Sequence, residues 1–382
     1  MNLPLTEQAF QDSTNVPGAA ASRGRRLFLL TPSEEACAVE IFTRSLVGAL
    51  RDCYPDEGYE LLPISGHWRD LPAVVGKIIK ADQVIFNLPL VAWKRLLLTP
   101  LVLLLVATLA HRPVSVFMHE WSGLHWLRRL ALAPIVMLSR TIIVVSPFIS
   151  AQIANSQWLI GAGAKCRLVP HPPTIRLPRE RGITERIERV REVTKNCDVV
   201  IGCFGSIYRG KAAMALLDIC KHLQSRDIRA AIVFIGSFTK SLDGYEQEFR
   251  SRVSELAIDD QVIVTGYVPS EVELYTLFEE IGAFLFLFPE GLTARRSSVI
   301  ACLHSDRPVV VTAPHSATEF AHHDGFSKLI DNGALSFIPA NADLRTIADQ
   351  LLAVAKQDKR VVPVINDAAW WNAAINAVRA AI

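Results

Sequence analysis

Four absences narrow this sequence before any residue is singled out. It lacks paired cysteines: the seven (Cys37, Cys53, Cys166, Cys197, Cys203, Cys220, Cys302) are scattered, odd in number and without C-x-x-C spacing. That argues against a disulfide framework and fits buried thiols in a reducing cytosol. It lacks a charge excess, with 40 Lys and Arg against 38 Asp and Glu, so no basic field invites nucleic acid. It lacks the run of roughly 20 apolar residues that a membrane-spanning helix needs. The greasiest stretch, Leu96 to Ala110, is broken by Thr99, Pro100 and Thr108. Finally, it lacks G-x-S-x-G, H-E-x-x-H and G-x-G-x-x-G, which removes the best support for a hydrolase, a zinc protease or a simple dehydrogenase.

What is present reads as two α/β domains. The 382 residues, half of them hydrophobic, suffice for two cores. Residues 1–22 are polar, with Pro, Gly and Ala, and read as a disordered tail without the apolar core of a signal peptide. From residue 23 to 172, short apolar runs alternate with amphipathic stretches, as a doubly wound sheet requires. Pro170, Pro172 and Pro173 break the pattern, and residues 173–197 read as a charged linker with a helical turn. The alternation restarts over 198–362, and 363–382 reads as a terminal helix.

The most informative stretch is residues 284–312. Phe284–Phe288 is an apolar run suited to a strand buried on both faces. Pro289, Glu290 and Gly291 break it, Thr293 is placed to cap a helix, and Ser297–Leu303 is its body. Asp306, Arg307 and Pro308 stop the helix before a strand begins at Val309. An acidic residue followed by free backbone N–H groups at a strand end suits a sugar diphosphate. The helix start favours phosphate oxygens, and the carboxylate accepts from hydroxyls.

This stretch resembles the donor loop of family 4 GT-B glycosyltransferases, written E-G-(F)-G-x-x-x-x-E-A-(M/L)-A-x-G-x-P-V-(V/I). Glu290 and Gly291 match its start, and Ile300, Ala301 and Arg307–Val310 its end. The motif's second glutamate falls on Ser298, and Arg295 and Arg296 stand in its glycine region. The resemblance implies sugar contacts for Glu290, help from the amides of Gly291 and Leu292, and a ribose-side place for Ser298. It also implies a GT-B fold, two doubly wound Rossmann-like domains facing a cleft, with the terminal helix packing back on the first domain.

Gly205 to Lys211 nearly matches a P-loop, but Ala212 lacks the hydroxyl that would hold Mg²⁺, and the later strand 231–235 ends without an aspartate. It resembles the family's G-R-x-x-x-x-K-G, with Gly205 and Lys211 in register and Ser206 in the arginine's place. Gly205 lets backbone approach closely, and Lys211 can neutralise a diphosphate. An ordinary βα turn with a surface lysine is the alternative. Arg209, Arg295 and Arg296 are candidates for the lost arginine's work. His119–Glu120, at a strand's end, resembles the family's histidine that contacts the donor sugar. A hydrogen-bonded structural imidazole is the plainer account. Tyr267, in a turn after Gly266, resembles the stretch beside the nucleotide base. Residues 31–40 fall where the family carries a glycine-rich loop. The glycines are missing, and Ser33 with Glu34 and Glu35 reads as a helix start. His322, His323 and Asp324 form the sole metal-like cluster, but adjacent helical histidines point apart and no third ligand is suggested.

Residues 93–140 carry Trp93, Trp121 and Trp126 with Arg95, Arg128, Arg129 and Arg140 among Leu, Ala and Ile. Two packed helices account for this, and so does a surface that dips into lipid. The expectation is a cytoplasmic enzyme, peripheral on the inner face of the membrane. It would transfer a sugar from a nucleotide-diphosphate donor to a glycan or polyprenyl-linked hydroxyl in exopolysaccharide or lipopolysaccharide assembly. Glu290 and His119 would act at the reacting sugar. The resemblance implies retention of anomeric configuration, no metal and no other cofactor. A catalytically degenerate GT-B-like partner subunit and a nucleotide-sugar epimerase are the rivals.

Overall fold

A computed structural model describes residues 24–31, 38–65, 67, 69–89, 98–175, 178, 180–239, 244–356 and 366–382. The expectations for the tail 1–22, the Ser33 cap and the Trp93–Arg95 flank fall outside these residues.

The first sheet is built from β1 (Arg25–Leu30), α1 (Ala38–Cys53), β2 (Gly58–Pro63), α2 (Leu71–Ile79), β3 (Gln83–Leu88), α3 (Leu98–Leu109), β4 (Val114–Met118), α4 (Trp126–Leu138), β5 (Thr141–Val144), α5 (Pro147–Ala154) and β6 (Cys166–Leu168). Its strand order is β2-β1-β3-β4-β5-β6, with β1, β2, β3 and β4 pairing in parallel. Every residue of β3 and β4 is buried, as strands covered by helices on both faces must be. Their polar members are hydrogen-bonded. Gln83 donates to Ser115 at 2.9 Å, and Asn87 donates to the Leu29 carbonyl at 2.8 Å while accepting from Thr43.

After α6 (Glu185–Thr194) comes the second sheet: β7 (Val199–Phe204), α7 (Ala213–Gln224), β8 (Ala230–Ile235), α8 (Tyr245–Glu255), β9 (Val262–Val264), α9 (Glu271–Glu279), β10 (Ala283–Phe286), α10 (Ser297–Leu303), β11 (Val309–Thr312), α11 (Asp324–Asp331), β12 (Leu335–Ile338), α12 (Leu344–Ala355) and α13 (Asp367–Ala381). Its order is β9-β8-β7-β10-β11-β12. That is the 3-2-1-4-5-6 order of a dinucleotide-type sheet, whose direction of winding reverses between β7 and β10.

Three differences from the sequence reading have physical causes. The supposed linker holds a real helix, α6. Thr184 caps it by accepting from the Ile187 amide, and Ile187 and Val190 are fully buried in the second core. The pair α11 and β12 was not anticipated, because β12 is short and buries only Leu335 and Ile338. Strand β10 stops at Phe286, two residues before the apolar run ends. Compactness divides the chain within β5, with Ile143–Ala381 forming the second unit. In that unit α13 places Trp370 edge-on to His323, ring centroids 4.3 Å apart, and beside Phe326.

Candidate functional site

Ligands of open α/β sheets gather at the strands' carboxyl ends where the winding reverses. In the second sheet that place lies between the ends of β7 and β10. Strand β7 runs out into Gly205, whose φ of +103° is glycine territory. A Cβ there would stand 2.6 Å from the Lys211 ammonium and 3.6 Å from Ser298. Gly236, after β8, has φ +152°, and its Cβ would stand 2.3 Å from the Gly205 carbonyl. The two turns are thus packed backbone against backbone.

Lys211 is not the surface lysine of the plainer sequence reading. It is 9% exposed, and its Nζ donates to the Phe204 carbonyl at 2.9 Å. Burial lowers its pKa, and the nearby Arg296 guanidinium pushes the same way. Arg209 is committed elsewhere: it pairs with Glu248 at 2.6 Å and lies over the Tyr245 ring.

The loop after β10 supplies the other wall. Gly291, at φ +69°, turns the chain where a Cβ would stand 2.2 Å from the Ala313 carbonyl. The Gly291 amide donates to the Phe288 carbonyl and the Leu292 amide to Thr312, each at 2.9 Å. Both amides expected to meet a donor are therefore engaged by the fold itself. Thr293 does not cap α10. Arg296 sits at the cap position without a side-chain bond to the helix, and the buried Thr293 hydroxyl has no hydrogen-bond partner among the described residues.

Arg296 turns back instead. Its guanidinium hydrogen-bonds the Glu290 carboxylate and stacks 4.3 Å over the Phe288 ring. Arg295 approaches the same carboxylate at 3.5 Å. All three side chains are largely buried, at 18%, 13% and 26% exposure for Arg295, Arg296 and Glu290. The structure thus gathers Gly205, Lys211, Ser298, Arg295, Arg296 and Glu290 at the reversal point. Tyr267 is 71% exposed on the turn after β9.

His119 follows β4 in the first unit. Its ring stacks on Phe117 at 5.0 Å and meets the edge of Phe42, and its amide donates to the Leu88 carbonyl. Glu120 acts on Arg128, whose pKa burial lowers and Glu120 raises.

One residue escaped the sequence. Glu319, 3% exposed, accepts hydrogen bonds from the Ser146 hydroxyl and from the amides of Phe148 and Ala294. Burial pushes its pKa up, and these bonds pull it down. His322 and His323, on the same turn rather than on a helix, reach the carbonyls of Val145 and His171 at 3.2 and 3.0 Å. Both rings address backbone, and among the described residues no group of three or more His, Cys, Asp or Glu is gathered to hold a metal. His171 is itself buried, and burial takes its pKa down to about 4.

No family model matches the sequence, and no curated protein does. Solved structures do match in shape. HepE from Anabaena in complex with UDP-glucose superposes with a TM-score of 0.63 at 14% identity, covering 94% of this chain and 97% of that one. Sucrose-phosphate synthase from Thermosynechococcus elongatus gives 0.60 at 15%, covering 94% and 96%. A glycosyltransferase from Rickettsia africae gives 0.58 at 12%, covering 93% and 94%. Two parallel six-stranded sheets in these strand orders, matched over nearly the whole chain, are the GT-B glycosyltransferase fold.

Proposed function

We propose that this chain transfers a sugar from a nucleotide-diphosphate donor to a hydroxyl acceptor. The observation that carries the reading is the cluster of Lys211, Arg295 and Arg296 around Glu290 at the reversal point of the second sheet. Its three cations and one carboxylate leave a formal surplus of two positive charges, the complement of a bridging diphosphate. Held in a largely buried site, such charges stabilise a departing diphosphate without reorganising. A diphosphate drawn to Arg295 and Arg296 competes with Glu290 for them, and the released carboxylate can then accept from donor-sugar hydroxyls. The HepE structure with UDP-glucose supports this ligand class by fold.

The resemblance to family 4 enzymes adds that the anomeric configuration is retained, with the leaving phosphate assisting attack on the same face. His119 then positions the sugar rather than abstracting a proton. Neither a metal nor another cofactor is required in this reading. Ser298 takes the ribose-side place, and Tyr267 the side of the base.

The acceptor proposed is lipid-linked, met at a membrane surface. Among the described residues no helix is long and apolar enough to cross a bilayer, but α3 and α4 present an apolar outer face. Leu98, Leu105 and Leu109 line one side of α3, and Trp126, Leu130, Pro134 and Leu138 recur every fourth residue along α4, all exposed. Between residues 98 and 142 the basic residues are Arg112, Arg128, Arg129 and Arg140, against a single acid, Glu120. That balance suits anionic headgroups.

The test is Glu290→Ala and Glu290→Gln, assayed for transfer after a thermal-shift screen of UDP-, GDP-, ADP- and dTDP-sugars has chosen the donor. Loss of at least about a hundredfold in kcat/KM with an unchanged melting temperature is expected. Near-normal turnover would sink the assignment. The pairing of Glu290 with its own arginines also suits a non-catalytic binding subunit. That reading wins if the donor binds with neither transfer nor hydrolysis.

A further inference from the structure

The turn that carries Glu319 lies outside the donor loop, yet it holds it. Glu319 Oε1 accepts from Ser146 Oγ at 2.5 Å and from the Ala294 amide at 2.9 Å, and Oε2 accepts from the Phe148 amide at 3.2 Å. A carboxylate this deeply buried is costly unless its oxygens are hydrogen-bonded. Here three donors and the N-terminal end of α5 share that role.

Capping α5 does not by itself require Glu319. Ser146 is already the cap residue, and its hydroxyl accepts from the same Phe148 amide at 3.2 Å. What Glu319 adds is the bond to Ala294. That residue is fully buried and directly precedes Arg295 and Arg296, the two arginines that converge on Glu290. Two residues earlier the loop is pinned through Leu292 to Thr312. The hydroxyl between them, on Thr293, has no hydrogen-bond partner among the described residues. Glu319 thus ties the backbone just before the two arginines to α5, a long-range anchor beside the loop's own local turns.

We propose that Glu319 is a positioning residue. It fixes the backbone from which Arg295 and Arg296 reach the donor's diphosphate, without touching the donor itself. This deepens the donor-site reading and rests on it. Arginines on long stems magnify a small backbone displacement at their base, and misplacement of about 1 Å at a reacting site costs up to about a hundredfold.

The test uses the full chain, with inorganic pyrophosphate as the probe because every diphosphate donor contains it. Glu319→Leu keeps much of the volume and removes every acceptor, the one for the Ala294 amide included, whereas a glutamine with its nitrogen toward Phe148 would keep that bond. Two quantities are read: hydrogen–deuterium exchange in the peptide 288–300, and pyrophosphate affinity by calorimetry. Both are repeated with Arg296→Ala and with the double variant.

Faster exchange in that peptide and affinity down about tenfold are expected. The double variant should lose less than the sum of the two single losses, because the carboxylate acts partly through Arg296 and partly through Arg295. If Glu319→Leu leaves exchange and affinity unchanged while Arg296→Ala loses binding, the positioning role falls and the donor site stands. If Arg296→Ala binds pyrophosphate as the parent does, the donor-site reading falls and takes the positioning role with it. Should Glu319→Leu fail to fold, Ala294→Pro deletes the amide donor and leaves Glu319 on α5. Unchanged pyrophosphate affinity in that variant overturns the proposal.

Discussion

The helices around the two sheets are finished differently on their outer sides. On α3 and α4 the outward positions are leucine, tryptophan and proline. On α6, α8 and α9 they are laced with ion pairs: Arg186 with Glu273, Arg191 with Glu280, and Arg250 with Glu246. Of these, Arg250–Glu246 is exposed and adds little stability, while Arg186–Glu273 is half-buried. Both layers bury their inner stripes equally well, Leu103, Leu104 and Ala107 on α3, Ile187 and Val190 on α6. The contrast is therefore not about folding. It concerns what each surface is built to face.

The comparison can be broken by acid first. The four histidines whose pKa burial lowers, His171, His304, His322 and His323, all lie in the ion-paired unit. A buried imidazole with a lowered pKa contributes stability that is whole above its ordinary value and is lost as pH falls through the folded one. For His171 that window runs from 6.5 down to about 4, and its share is about 3 kcal/mol. Glu319 acts in the opposite sense. Its raised pKa contributes stability below the ordinary carboxyl range that is lost as pH rises, which moderates the effect. Exchange measured at pH 7 and pH 4.5, corrected for intrinsic rates, should show residues 143–381 loosening before 38–142. Equal protection of that unit at both values would refute this. His171→Asn should flatten the dependence.

Next is the apolar face. Trp126 and Leu130 are 52% and 50% exposed, so replacing both with aspartate should leave the melting temperature alone. Sedimentation with anionic vesicles should drop about a hundredfold, from about 3 kcal/mol of lost apolar burial in the lipid. Unchanged sedimentation would leave α3 and α4 with no membrane role. A smaller loss, about 1 kcal/mol, is expected from Arg129→Glu, and it should vanish in high salt. The smallest belongs to the other side of the comparison. Arg250→Ala should change stability by no more than about 0.5 kcal/mol and vesicle binding not at all. An effect of several kcal/mol would mean that the ion pairs hold the fold.

The alternating strands and helices were legible in the sequence because each fully buried strand is a short apolar run between polar helices. The reversal-point residues were legible too, since Gly205 and Lys211 lie within one turn and Glu290 through Ser298 within another. What was not legible is what they do to one another. That Arg296 folds back on Glu290, rather than leaving Thr293 to cap α10, depends on the Phe288 ring beneath it. That Lys211 is tucked under Phe204 depends on Gly205 having no side chain. Glu319 was invisible because Ser146 lies 173 residues away and Ala294 lies 25, and no local pattern connects them. The partners of the histidine pair, backbone carbonyls on distant segments, were hidden in the same way.

The contact between Gly236 and the Gly205 carbonyl has a consequence for how this protein can change over generations. A methyl group at Gly236 collides with that carbonyl, and at Gly205 it would meet only the movable end of Lys211 but sit at a φ of +103° that side chains rarely adopt. Neither turn drifts easily by single substitutions, because each intermediate would be crowded or strained. Variation in ligand preference has to accumulate around this fixed point, in positions such as Ser206, Tyr208 and Tyr267 whose side chains are wholly or partly open to solvent. A library built to alter specificity should leave the two glycines alone and spread its diversity there.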